Sequence, residues 1–94
     1  MTEIQLKDII LKATRAEQLL NDPLIQEFII QMRGDLLNKF ESAGLDSNEE
    51  RLAAWHQSQV LNMFLDKFKK KIKEGKTAQL SLLDKANAQI RRII

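Results

Sequence analysis

Six lysines lie within ten residues of this 94-residue chain, and no other spacing in the sequence suggests chemistry so directly. Residues 67–76, called the basic stretch below, contain all six: Lys67, Lys69, Lys70, Lys71, Lys73 and Lys76. On a helix, Phe68 and Ile72 lie four residues apart on one face, so the lysines spread over the remaining faces. Such a helix can follow nucleic-acid phosphates or another anionic surface, because each neutralised phosphate releases counterions.

Two other interpretations of the basic stretch stay open. Lysines at the end of a helix are well solvated and offset the negative pole of the helix dipole. They can also pair with the acidic first half of the same or a neighbouring chain, because residues 1–50 hold five basic and ten acidic side chains. Residues 51–94 hold ten basic and three acidic ones, so the net charge of +2 conceals a strong asymmetry.

Residues suited to catalysis or metal binding are scarce. The single histidine, His56, and Ser58 are two residues apart, which places them on different faces of a helix. There is no cysteine, so thiol catalysis and cysteine-ligated metal sites are excluded. Gly75, Lys76 and Thr77 match only the end of a phosphate-binding loop and lack its upstream glycine. We therefore expect no enzymatic activity, no cofactor and no metal.

The elements that position these residues are helices. Apolar residues recur every three or four positions throughout the chain, and alternating runs typical of strands are missing. Proline and glycine divide this pattern into four predicted helices, at residues 3–20, 23–42, 48–74 and 78–94.

Local signals predict where these helices begin and end. Asp22 before Pro23 is typical of a helix N-cap followed by the first helical residue. Gly44 is expected to end the second helix in the left-handed conformation. Gly75 is expected to end the third helix, with Thr77 as the cap of the fourth.

These patterns predict an all-α fold with one helical domain over residues 1–94. The expected architecture is an antiparallel bundle of three to four helices, or a helical hairpin, completed by self-association. The last helix is apolar over a wider arc than one neighbour covers, which favours a homo-oligomer or a complex with another helical protein. The predicted self-association residues are Leu80, Leu83, Ile90, Ile93 and Ile94.

No uncharged run in the sequence is long enough to cross a bilayer, so no membrane association is expected. Residues 1–8 lack the basic start and apolar run of a secretory signal. We therefore expect a cytoplasmic protein.

Several short motifs carry a family resemblance. Residues 19–23 read Leu-Leu-Asn-Asp-Pro before a helix, Glu50, Arg51 and Trp55 follow the next turn, and a later helix closes on Gly75 and Lys76. Over residues 15–80 this pattern resembles an uncharacterised family of short all-helical proteins encoded by tailed bacteriophages and prophages. The resemblance implies a phage accessory or assembly protein, located in the cytoplasm of the host cell or associated with the virion, and it brings no catalytic residues with it.

Two functions are therefore predicted. The first is a non-enzymatic phage-type accessory or assembly protein that acts through protein–protein self-association. The alternative is a nucleic-acid-binding accessory protein that uses the basic stretch. A third and weaker hypothesis, a helical binder of a host protein, has no specific residue to support it.

Overall fold

The computed structural model describes residues 1–44 and 47–93, except the side chain of Ile93, and every regular element in these ranges is a helix. The order along the chain is α1 (Glu3–Leu20), α2 (Pro23–Ser42) and α3 (Asn48–Ile93). The predicted all-α class is thus confirmed, and the described residues contain no strand.

The first two helices begin at well-formed caps. The side chain of Asp22 accepts hydrogen bonds from the backbone amides of Leu24 at 2.8 Å and Ile25 at 3.2 Å, as the sequence predicts. At the start of α1, the Thr2 hydroxyl accepts from the amide of Gln5 and the Gln5 side chain accepts from the amide of Thr2. This reciprocal pair is a capping box that the prediction missed.

The predicted interruption at Gly75 is wrong, because α3 continues through it to Ile93. Instead of capping a new helix, the Thr77 hydroxyl donates a hydrogen bond to the Lys73 carbonyl one turn earlier. Gly75 is buried, and a Cβ built on it would overlap the Cβ of Ala13 and lie 3.7 Å from its Cα. The glycine is therefore explained by a close helix crossing, which the chain achieves at a cost of about 1 kcal/mol in helix propensity.

Unit 1 is the first of two compact units and comprises Met1–Leu19 and Lys67–Ile94. Here α1 packs antiparallel to the second part of α3, with Ala13 beside Gly75 and the Lys85 ammonium donating to the Met1 carbonyl at 2.8 Å. Its buried apolar residues are mostly small: Leu6, Ala13, Ala16 and Ala78. The apolar spacing of the sequence predicts one buried stripe along α1, and it is confirmed, because all its members are buried or half-buried: Leu6, Ile9, Ala13, Ala16 and Leu20.

Unit 2 comprises Leu20–Asp66, in which α2 and the first part of α3 form a hairpin. Its buried residues are Ala43, Ala54, Leu61 and Leu65, and α2 alone contributes none within the helix. The apolar spacing of the sequence predicts a buried face of α2 formed by Ile25, Phe28, Ile29, Met32, Leu36 and Phe40. This prediction is wrong in part, because Ile25, Ile29 and Leu36 are half-buried but the other three are exposed. One neighbouring helix covers only a narrow stripe, so the flanks of a two-helix hairpin stay in solvent.

The end of α2 also differs from its prediction. No glycine in the described residues has a positive φ, so Gly44 is not a left-handed cap. The helix ends at Ser42, and the following C-cap residue, Ala43, is extended with a φ of −62° and a ψ of 130°. The Arg51 guanidinium donates a hydrogen bond at 3.1 Å to the Ala43 carbonyl and so satisfies a terminal acceptor of α2 from α3.

Candidate functional site

The basic stretch lies on α3 within unit 1, and all six of its lysines are exposed. Among the described residues, the basic stretch forms one ion pair. It joins Lys71 to Glu74 at 3.5 Å, one turn along the same helix. Within unit 1 no described ion pair links the basic stretch to α1, where the ion pair of Asp8 and Lys12 is also local. The lysine charges are therefore available to an anionic partner.

The two units carry opposite net charges. Unit 1 contains twelve basic and five acidic residues, a net charge of +7, whereas unit 2 contains three basic and eight acidic residues, a net charge of −5. The asymmetry seen between the sequence halves thus belongs to two separately packed structures. Each unit presents a strong field of one sign to any partner.

The wide groove of unit 2 is an open apolar depression of about 540 Å³ between α2 and α3. Asp35 and Lys39 are its charged residues and Gln57 lies at its edge, while its apolar lining consists of Met32, Leu36, Val60, Leu61 and Phe64. Met32 is 43% and Val60 is 64% exposed, so side chains that normally form a core face solvent here. Such a patch is typical of a protein-interaction surface.

The narrow groove, of about 240 Å³, lies on the other flank of the same hairpin. Its principal side chains are Leu37, Phe40 and Trp55, with Arg33 as the one charged residue and Leu61 as a floor shared with the wide groove. Trp55 is 51% exposed. Tryptophan and arginine are enriched among the residues that dominate binding energies, which makes this flank a second candidate contact.

Three of the predicted self-association residues lie exposed on α3 in unit 1. Leu80 is 61%, Leu83 is 56% and Ile90 is 53% exposed. Ile94 and the side chain of Ile93 lie outside the described residues. The structure thus places Leu80, Leu83 and Ile90 where a partner can reach them, and their role in self-association stays a prediction.

The residues considered for catalysis do not converge. His56 is exposed and stacks edge-on against Trp55 with 5.1 Å between ring centroids, while the Ser58 hydroxyl donates to the Trp55 carbonyl. Among the described residues, no group of three or more histidine, cysteine or acidic side chains is placed to hold a metal ion. None of the helices in the described ranges is long and apolar enough to span a membrane.

The grooves of unit 2 were missed by the sequence reasoning. Their residues were assigned to a buried face, because periodicity shows that a helix has an apolar side but not how much of that side its neighbours cover. A usable signal was present: α2 and α3 are apolar over an arc wider than one helix contact requires.

Comparison with known proteins leaves the geometry as the basis for any functional inference. No protein-family model matches the chain, and neither a curated protein nor a solved structure shows significant similarity to it.

Proposed function

We propose that this chain is a non-enzymatic helical accessory or assembly protein of phage type that acts by protein–protein association, first of all with its own copies. It works in the host cytoplasm or in the virion. The phage assignment rests on the sequence resemblance over residues 15–80. Association rests on the apolar surface described next.

Exposed apolar side chains carry the proposal. Among the residues that the structure describes, eighteen large apolar ones are exposed, and eleven of these lie in unit 2. Covering these side chains with other copies completes the helix pairs.

Light scattering over a wide concentration range tests this proposal. We expect the mass to rise above that of the protomer, and Val60→Asp to shift the distribution toward the protomer, because a charge then enters the apolar wide groove. The matched control is Gln59→Asp, one exposed residue earlier on another face, which should leave the mass unchanged. Circular dichroism checks that both variants stay helical.

A second variant ranks the two apolar surfaces. Ile90→Asp changes an exposed residue of the predicted self-association set in unit 1, and a larger loss of mass than for Val60→Asp would make unit 1 the main contact. A wild-type protein that stays folded and strictly monomeric at every concentration would rule the association out.

Nucleic-acid binding is the second candidate function, and the exposure of all six lysines of the basic stretch supports it. Because phosphate contacts release counterions, binding should weaken steeply as salt rises. Replacing Lys69, Lys70, Lys71 and Lys73 by glutamine should weaken binding to duplex and single-stranded probes and flatten that slope. The control replaces Lys7 and Lys12 of α1 by glutamine. Absence of binding at low salt, or equal binding by both variants, would eliminate this function.

A further inference from the structure

One stripe of α3 in unit 1 lies on the side of the helix away from α1, although its first residue, Lys73, also lines an open depression between the two helices. Successive residues of a helix turn by about 100°, so residues 73, 76, 80 and 83 lie on the side opposite Gly75, Ala78 and Leu82, which α1 covers. We call these four residues the outward stripe: Lys73, Lys76, Leu80 and Leu83. All four are exposed. The outward stripe therefore presents two positive charges followed over the next two turns by two large apolar side chains.

The wide groove of unit 2 offers the complementary features. Its floor is apolar, with Met32 and Val60 accessible, and Asp35 lies on its lining. A smaller depression, of about 310 Å³, shares Gln57 with the groove as well as Lys39, the one basic residue of either lining, and adds Glu50. Asp35 and Glu50, called the acidic rim below, are both exposed, and they belong to a unit with a net charge of −5.

We propose that the outward stripe of one copy docks on the wide groove of a second copy. Leu80 and Leu83 enter the apolar groove, and Lys73 and Lys76 face the acidic rim. This inference rests on the proposed self-association and specifies its surfaces. Charge selects the pairing, because contacts between two units of +7 or between two units of −5 would repel, whereas a contact between unlike units attracts.

The docking joins two different surfaces, so it is a heterologous contact. Such contacts close into a ring or a two-fold pair when the rotation between copies permits, and otherwise they extend into a chain of copies. In either case each copy uses both surfaces. A variant that damages one surface therefore retains the other, and two different variants can complement each other.

Charge reversal followed by mixing tests the pairing. Variant A carries Lys73→Glu and Lys76→Glu, and variant B carries Asp35→Lys and Glu50→Lys. Each alone brings like charges together at the contact, and we expect its association to weaken by about tenfold or more. An equimolar mixture should recover association, because the reversed stripe of A meets the reversed rim of B while the two native surfaces meet each other.

The control for variant A is Lys67→Glu with Lys70→Glu, which makes the same change in net charge on other faces of the basic stretch. The control for variant B is Glu27→Lys with Glu41→Lys, two exposed acids of α2 outside the groove lining. Analytical ultracentrifugation at two salt concentrations measures each protein, and circular dichroism confirms helicity. Both controls should associate within a few-fold of wild type, and wild-type association should weaken as salt rises.

Three results would overturn the docking: a control that weakens association as much as its paired variant, a mixture without recovery, or reversals that abolish nucleic-acid binding while association is unchanged. In each of these the wild type still associates, so the proposed function stands with other surfaces. A wild type that stays monomeric removes the docking together with the association on which it rests.

Discussion

Units 1 and 2 are both pairs of helices, but they are held together in different ways. In unit 1 the crossing is lined by Ala13, Gly75 and Ala78, so the backbones approach closely and many small contacts replace large buried side chains. In unit 2 the hairpin depends on Leu61 and Leu65, with bulky apolar residues exposed on both flanks. The close crossing joins the helices of unit 1 with few large buried side chains, whereas unit 2 leaves apolar grooves on both flanks that a further layer would cover.

The same comparison holds for charge. Unit 1 combines its closed crossing with a net charge of +7, and unit 2 combines its open grooves with a net charge of −5. Unit 1 therefore displays a basic helix surface and an open depression of about 590 Å³ between α1 and α3, whereas unit 2 displays acidic residues and apolar grooves on both flanks. This difference favours the docking of the outward stripe of unit 1 on the wide groove of unit 2 in a second copy.

Leu61→Ala should have the largest effect. Leu61 is buried and forms the floor that the two grooves of unit 2 share, so its truncation leaves a cavity that costs about 2–3 kcal/mol of unfolding free energy. Urea denaturation followed by circular dichroism measures the change, at concentrations where wild type is dissociated. Val60→Ala, at an exposed position, should change it by less than about 0.5 kcal/mol. Equal losses would mean that unit 2 has no distinct core.

Gly75→Ala should destabilise unit 1 by about 1–3 kcal/mol, although alanine is the better helix former. The added methyl overlaps Ala13, so α1 and α3 must separate. Gly34→Ala is the matched control: it places the same methyl where no atom lies within 4 Å, and it should stabilise α2 by about 1 kcal/mol. Hydrogen exchange can assign each change to its unit. Changes of the same sign at both glycines would contradict the close crossing.

Arg51→Met should cost about 1–2 kcal/mol in unit 2, because it retains the aliphatic stem but removes the donor to the Ala43 carbonyl. Arg33→Met, at an exposed position on α2, is the control and should be nearly neutral to folding. Thermal denaturation of the two variants in parallel measures the difference. If both melt at the same temperature, the Arg51 bond does not hold the hairpin ends together.

Asp22→Ala should have the smallest effect, a loss of about 1 kcal/mol, because two amides at the start of α2 lose their side-chain acceptor. Asp22→Asn keeps an acceptor oxygen and should retain most of the stability. Hydrogen exchange at Leu24 and Ile25 reports on the cap directly. Unchanged exchange in Asp22→Ala would show that the cap contributes nothing to the hairpin.

Much of the local structure was accessible to sequence reasoning. The all-α class, the bounds of α1 and α2 and the cap at Asp22 were all predicted, because they depend on residues close together in the chain. The failures share a cause. Gly75 was assigned to a helix end, but its position depends on how closely α1 approaches α3. Phe28, Met32 and Phe40 were assigned to a buried face, but their burial depends on how much of the surface of α2 its neighbour covers.

The two candidate surfaces also differ in whether the sequence alone predicts them. The basic stretch was evident from composition, since six lysines in ten residues need no tertiary information. The wide groove was not, because Met32 and Val60 are far apart in sequence and meet only when α2 folds back on α3.

By itself the sequence determined which segments are helical, where α1 and α2 begin, and that opposite charges gather in different parts of the chain. Only the tertiary structure decided that Gly75 lies at a crossing, that α3 is continuous, and that unit 2 leaves its apolar flanks in solvent. Helix formation and capping are local interactions within about one turn, whereas burial is set by the shape and distance of the helix packed alongside.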